Sequence, residues 1–135
     1  MIYIDTGAFL ARYLVRDQYH DLAVAFWDEL KTKNEVLMTS NFVLDETATL
    51  LGRRAGYVFA SKRLRAVYAS SVLQIWRPDR DDELQAIDWF VKFSDQGVSF
   101  TDCISFVLMR RGQVQHVFSF DHHFELAGFQ RLPVG

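Results

Sequence analysis

Short apolar runs alternate with stretches of helical periodicity along the whole chain, and this alternation limits the folds open to it. The first run, residues 1–4, is uninterrupted by polar residues, which is typical of a strand buried on both faces of a sheet. The runs occupy residues 1–4, 36–38, 72–76, 117–120 and 129–132. Strands that alternate with helices predict a parallel sheet covered on both faces, because a helix returns the chain to the same edge after each strand.

Seven helices are predicted between and around these strands, from apolar spacing and capping residues. They span residues 8–15, 21–31, 42–54, 58–68, 81–93, 101–111 and 122–127. Ser40 or Asn41 can cap the third helix, and Gly56 ends it. Residues 97–100 form a weak strand candidate before the sixth helix.

Length and charge narrow the class of protein. A chain of 135 residues fits one domain, so residues 1–135 are predicted to form a single folded unit. Half of the residues are hydrophobic, which is enough for a compact core. A net charge of −2 excludes a protein that is basic all over, so any contact with nucleic acid must come from a local patch.

The number of cysteines and the N-terminal residues indicate the cellular compartment in which the protein is expected. Cys103 is the only cysteine, which excludes an intramolecular disulfide and a cysteine-rich zinc site. The sequence shows neither a secretory signal nor an apolar stretch of the roughly 20 residues that span a bilayer. We therefore expect a cytoplasmic protein that has no contact with membranes.

Four acidic residues stand where the predicted elements would direct them to one end of the sheet. Asp5 and Asp121 end two strand candidates, Asp102 opens a helix, and Glu46 interrupts the apolar face of another helix. In open parallel sheets, ligands bind beyond the carboxyl ends of the strands. Carboxylates a few ångströms apart raise one another's pKa, so a converging set calls for a cation.

Simpler roles exist for each acid alone. Asp often caps helices, and Glu46 could pair with an arginine. If the acids do converge, their all-oxygen ligand set suits Mg²⁺ or Mn²⁺.

His122 and His123 follow Asp121, but adjacent histidines on a helix point in different directions and neither has a histidine four residues on. We interpret both as surface, substrate-contacting or packing residues, not as metal ligands.

Four segments of the chain resemble the acidic motifs of PIN-domain nucleases, a family that includes the VapC-like toxins of toxin–antitoxin pairs. They are residues 2–6, 39–46, 99–102 and 119–124. The resemblance implies a three-layer α/β/α fold with a mostly parallel sheet and an endoribonuclease that depends on Mg²⁺ or Mn²⁺. It further implies an acidic site that both binds metal and performs catalysis, made by Asp5, Glu46, Asp102 and Asp121. Thr6 and Thr101 match positions where the family often carries a hydroxyl near that site.

Basic residues concentrate in one part of this acidic chain. Arg53, Arg54, Lys62, Arg63 and Arg65 lie within thirteen positions. They are predicted to contact RNA phosphates or, by the resemblance, an antitoxin, although each alone could be part of an ordinary solvated helix surface. Any aromatic side chains left exposed on the early helices would favour a homodimer or another protein partner.

Three other functions are compatible with parts of the pattern. A phosphoacceptor receiver domain also gathers acids at a sheet edge, but it requires a lysine on a late strand, and Lys92 is the last lysine here. A haloacid-dehalogenase-type phosphatase requires a second aspartate two residues after Asp5, where this chain has Gly7. The remaining alternative is a catalytically silent PIN-like module that binds nucleic acid or protein.

Overall fold

A five-stranded, fully parallel sheet forms the centre of the molecule in the computed structural model, which describes residues 1–134. The strands are β1 (Ile2–Ile4), β2 (Leu37–Ser40), β3 (Leu73–Trp76), β4 (His116–Phe118) and β5 (Gln130–Leu132). Their spatial order is β3-β2-β1-β4-β5. The first strand is therefore central, and the chain crosses over it to place β4 beside it.

Helices flank the sheet and give the three-layer α/β/α arrangement expected of a PIN-like fold. They are α1 (Thr6–Tyr13), α2 (His20–Thr32), α3 (Asn41–Ala55), α4 (Tyr57–Ala69), α5 (Arg80–Lys92), α6 (Phe100–Arg111) and α7 (His123–Leu126). A short 3₁₀ turn, Ser94–Gln96, separates α5 from α6. The fold class predicted from the sequence is confirmed.

Aromatic side chains fill much of the core. Phe118 on β4 packs against Trp27 and Phe26 of α2, with ring centroids 5.2 and 4.8 Å away. Phe106 of α6 meets Phe124 edge to face at 5.1 Å. The ring pairs bury large apolar areas and favour these offset geometries, so they fix how helices sit on the sheet.

Several predicted boundaries were wrong by a few residues. The helix predicted from residue 8 begins at Thr6, because Asp5 leaves β1 in an extended conformation and the chain turns at once. The strand predicted to reach residue 120 ends at Phe118, because Phe120 leaves the sheet and stacks on Tyr19 at 4.4 Å.

Residues 97–100 contain no strand. Gly97 adopts a left-handed conformation with φ of 68°, which interrupts an extended backbone, and Ser99 then caps α6. The segment is instead a tight connection that lies beside the acidic end of the sheet.

No helix within residues 1–134 is both long and apolar enough to cross a membrane.

Candidate active site

All four acids identified from the sequence line one cavity of about 350 Å³ at the carboxyl end of the sheet. Neighbouring lining residues come from the same edge and from α1 and α3. They are Thr6, Gly7, Leu10, Leu50, Gly97, Ser99, Phe120 and His123. Segments that are far apart in sequence thus deliver Asp5, Glu46, Asp102 and Asp121 to one place.

Asp5 is the most enclosed of these acids, with only 5% of its surface exposed. It follows the central strand, and its carboxylate makes no capping hydrogen bond to α1. Instead, Asp5 Oδ2 accepts a hydrogen bond of 2.8 Å from the Ser119 hydroxyl. The simple capping role considered for Asp5 is therefore not the role that its side chain has here.

Asp102 also does not cap its helix. The cap of α6 is Ser99, whose hydroxyl oxygen accepts a hydrogen bond of 3.1 Å from the Asp102 backbone nitrogen. The Asp102 side chain is thereby free to point into the cavity, although it is almost completely buried. Ser99 was not identified from the sequence, although a serine three residues before an acid at a helix start is a recognisable capping pattern.

Glu46 projects from the middle of α3 into the same cavity. Within residues 1–134, its carboxylate makes neither a hydrogen bond nor an ion pair, so the arginine partner considered as an alternative is not observed. Asp45, the next acid along α3, is exposed to solvent, as its helical position predicts.

Asp121 and His123 form a compact pair at the rim. Asp121 Oδ1 accepts a hydrogen bond of 2.9 Å from the His123 backbone nitrogen and lies 3.1 Å from His123 Nδ1. The same ring nitrogen is 3.4 Å from Asp102 Oδ2. His123 is therefore part of the acidic site, closer to it than the sequence interpretation placed it, whereas His122 is exposed and outside the cavity.

Burial dominates the electrostatics of the two most enclosed carboxyl groups. Desolvation raises the pKa of Asp5 well above its ordinary value, with a smaller contribution from the charges of Asp121 and Glu46, and the Ser119 hydrogen bond opposes the rise. Desolvation also raises the pKa of Asp102, and the charges of Asp5 and Asp121 add to it. The site therefore resists full ionisation unless positive charge enters it.

Two threonines were predicted near the acids, and the structure separates them. Thr6 lines the cavity, and its hydroxyl oxygen is buried without any hydrogen-bond partner among the described residues. Thr101 is not a lining residue; its backbone oxygen accepts a hydrogen bond from Ser105 inside α6. The hydroxyl groups that contact the acidic residues are those of Ser119, which donates to Asp5, and Ser99, which accepts from the Asp102 backbone nitrogen.

The donor set fits a hard divalent cation. Carboxylate oxygens converge from several segments, the buried carboxyl groups resist ionisation, and the Thr6 hydroxyl lacks a partner that a metal-bound water would supply. Cys103 is buried and packed in the core, and desolvation raises the pKa of its thiol to about 11, so it is not available as a thiolate ligand.

The basic residues predicted to contact nucleic acid lie outside this cavity. Arg53 and Arg54 are exposed in the last turn of α3, and Lys62, Arg63 and Arg65 are exposed on α4. Arg53 is seven residues after Glu46, so the two lie on nearly the same face of α3 and about 10 Å apart along its axis. Arg63 packs its guanidinium 4.9 Å from the ring centre of Phe59.

Comparisons with known proteins agree with this geometry. The family model described as PIN domain matches residues 2–130. A 23S rRNA-specific endonuclease, VapC20 of Mycobacterium tuberculosis, is 38% identical over 129 residues, which cover 96% of this chain and 95% of that protein. A VapC ribonuclease of Archaeoglobus fulgidus is 34% identical over 125 residues, covering 91% of this chain and 78% of the relative.

A solved structure extends the likeness to three dimensions. The crystal structure of Mycobacterium tuberculosis VapC20, described as a toxin that cleaves the sarcin–ricin loop, superposes with a TM-score of 0.87 at 36% identity. The match covers 96% of both chains. Sequence and structure therefore point to the same relatives.

Proposed function

This chain belongs to the PIN-domain family, and from that premise we propose that it is a VapC-like endoribonuclease whose cleavage of RNA depends on Mg²⁺ or Mn²⁺. One observation carries the metal dependence: four acids from separate segments line a single cavity. The same proposal treats residues 1–135 as one nuclease domain in the cytoplasm, as the sequence predicted.

Asp5, Glu46, Asp102 and Asp121 would hold the ion. When bound, the ion neutralises negative charge on a phosphodiester and lowers the pKa of a bound water so that hydroxide is available at neutral pH. The Ser119 hydroxyl favours the ionised form of Asp5 by donating to it, and Ser99 holds the start of the helix that carries Asp102. The free Thr6 hydroxyl is suited to orient a water molecule.

The RNA path would run from this cavity along α3 toward the basic residues. Arg53 and Arg54 end that helix, and α4 adds Lys62, Arg63 and Arg65. Positive charge there attracts the phosphates that flank the cleaved bond, while the net-acidic remainder of the chain disfavours other orientations. Because VapC20 is described as acting on 23S rRNA at the sarcin–ricin loop, a hairpin of that sequence is the first substrate to test.

Protein partners form a further part of the proposal. The α3–α4 surface also carries the exposed side chains Tyr57 and Val58 beside Arg53, a mixture that suits an antitoxin segment. On α5, Leu84, Ile87 and Val91 are exposed at helical spacing and form an apolar stripe, which suits a homodimer.

The decisive experiment measures cleavage of the loop RNA by purified protein with Mg²⁺, with Mn²⁺ and with chelator. Cleavage in either metal and silence in chelator are expected. Equal cleavage in chelator would refute metal dependence, and efficient cleavage of duplex DNA with none of RNA would refute the ribonuclease assignment. A silent binding module would bind RNA but cleave it under none of these conditions.

A further inference from the structure

The two ring nitrogens of His123 have different surroundings. Nε2 lies 3.0 Å from the backbone oxygen of Gln96. A carbonyl oxygen can only accept a hydrogen bond, so Nε2 must carry the proton of this contact. Gln96 belongs to the tight connection before α6, and Gly97 of that connection lines the cavity.

The other nitrogen, Nδ1, faces the acids. It lies 3.1 Å from Asp121 Oδ1 and 3.4 Å from Asp102 Oδ2. Nδ1 therefore lies within 3.4 Å of two carboxylate oxygens that come from different segments of the chain. Donor atoms this close together call for a shared positive centre, which either a proton or a metal ion can supply.

The spacing of these atoms matches that of ligands sharing one ion. Two ligands about 2.1 Å from an ion and at right angles to each other lie about 3.0 Å apart. The 3.1 Å distance to Asp121 Oδ1 is close to this value, and the 3.4 Å distance to Asp102 Oδ2 corresponds to a wider angle between the two ligands. A histidine that binds metal also typically donates its second N–H to a carbonyl or carboxylate, which fixes the ring orientation, and the Gln96 carbonyl has that position here.

We propose that His123 Nδ1 is a ligand of the metal ion held by Asp102 and Asp121, which makes the site a mixed nitrogen and oxygen site that prefers Mn²⁺ to Mg²⁺. The inference rests on the metal dependence proposed above. Mg²⁺ takes oxygen ligands in near-ideal octahedral geometry and gives up its waters reluctantly, whereas Mn²⁺ also suits carboxylates but, as a first-row transition-metal ion, accepts a nitrogen ligand more readily than Mg²⁺ does. His123 thereby adds a selectivity that four carboxylates alone do not provide.

His122 offers a matched control within the same dipeptide. Its side chain is 68% exposed, and its Nδ1 is 3.9 Å from Asp121 Oδ1. It is not a cavity residue. Its ring does offer a ligand atom within 4.8 Å of those of Asp121 and His123, so replacing it separates a ligand role of the half-buried His123 ring from one of the exposed His122 ring.

The test is pulsed electron paramagnetic resonance of the protein loaded with Mn²⁺ alone, read as ¹⁴N modulation of the spin echo. Wild type should show coupling to one imidazole nitrogen. His123→Asn should abolish that coupling while His122→Asn retains it. Calorimetry should show Mn²⁺ affinity falling at least about tenfold in His123→Asn, with a smaller change for Mg²⁺.

Absence of ¹⁴N coupling in the wild-type spectrum would overturn the proposal, and that result needs no variant to fold. Equal losses for both metals, or coupling that survives in His123→Asn, would also overturn it. In that case His123 acts as a protonated counter-charge to the acids. Failure of RNA cleavage with the ¹⁴N signal present would refute the proposed function and leave the ligand assignment standing, so the two failures are distinguishable.

Discussion

The Ser119 hydroxyl donates a hydrogen bond of 2.8 Å to Asp5 Oδ2. The Ser119 hydroxyl oxygen in turn accepts a hydrogen bond of 3.0 Å from the Asp121 backbone nitrogen. One buried side chain thus joins the acid after the central strand to the acid after the neighbouring strand. The relation follows from the adjacency of β1 and β4, and it stabilises the ionised form of Asp5 at a position where burial disfavours it.

Replacing Ser119 with alanine should raise the pKa of Asp5 further, because the carboxylate loses a donor that favours its charged form. A hydrogen bond to a charged group contributes about 1.5–3 kcal/mol, so Mn²⁺ binding should require a pH about one to two units higher. Calorimetric titration of Mn²⁺ across pH measures the shift.

Ser105→Ala is the control for that measurement. Ser105 is equally buried, but its hydroxyl bonds to Tyr3 and to the Thr101 carbonyl, not to an acid of the cavity. Ser105→Ala should lower the stability of the protein and leave the pH dependence of metal binding unchanged. The same shift in both variants would mean that Ser119 acts only through general packing.

Asp102→Asn should reduce RNA cleavage on the order of 100-fold or more, because the amide lacks the charge that holds a divalent ion. Since Ser99 caps α6, the substitution removes no cap. Melting temperature without metal should hold or rise, and the stabilisation by Mn²⁺ should shrink. Cleavage rates and thermal melts with and without Mn²⁺ measure both effects.

Asp45→Asn provides the comparison for Asp102→Asn. This acid is exposed on α3, beside Glu46 but outside the cavity. Its amide variant should keep full activity and an unchanged metal-dependent shift in melting temperature. Wild-type cleavage by Asp102→Asn would exclude the carboxylate from the catalytic machinery.

The metal-free protein should lose stability as pH rises. Burial raises the pKa of Asp5 to about 7 and that of Asp102 to about 9, against about 3.9 in an unfolded chain. The folded protein thus binds more protons than the unfolded chain above about pH 4, so this contribution to stability is complete at low pH and disappears as pH passes the raised values.

Melting temperatures measured in chelator between about pH 5 and pH 9 test whether stability falls as pH rises. The melting temperature should fall less steeply with rising pH in Asp102→Asn, because this variant has one fewer group to ionise. It should also fall less steeply in wild type with saturating Mn²⁺, because the ion binds the ionised acids. A wild-type melting temperature that falls no more steeply than that of the variant would contradict the prediction.

Reversing the charge of Arg53 and Arg54 together should weaken RNA binding, most strongly at low salt. Each lost phosphate contact should reduce the slope of log affinity against log salt by about one. Arg63 is a less suitable position for charge reversal, because its guanidinium also packs on the ring of Phe59 and replacing it would remove that contact as well. Binding measured over a range of salt concentrations gives the slopes.

Lys31→Glu is the control for that experiment, because it reverses the charge of an exposed basic residue far from Arg53 and Arg54. Lys31 is exposed near the end of α2, just before β2 begins, and so lies at the edge of the sheet opposite the acids. It should change RNA affinity little. Equal losses in both proteins would mean that RNA responds to net charge and not to the α3–α4 surface.

The sequence by itself determined the parallel sheet between helices and the segments that carry the four acids. Each inference rests on local information: strands show as short apolar runs, helices as periodic ones, and Glu46 as an acid on an apolar helical face. The resemblance to PIN-domain nucleases added the metal and the reaction, because it compares several segments at once.

Only the tertiary structure decided how the acids are supported. Strand order places β4 beside β1, which brings Ser119 to Asp5 across more than one hundred residues of chain. The tertiary structure also brings His123 into the cavity, where its Nε2 lies 3.0 Å from the Gln96 carbonyl oxygen. These contacts join segments that local periodicity cannot relate, since the orientation of each side chain depends on what packs against it from elsewhere in the chain.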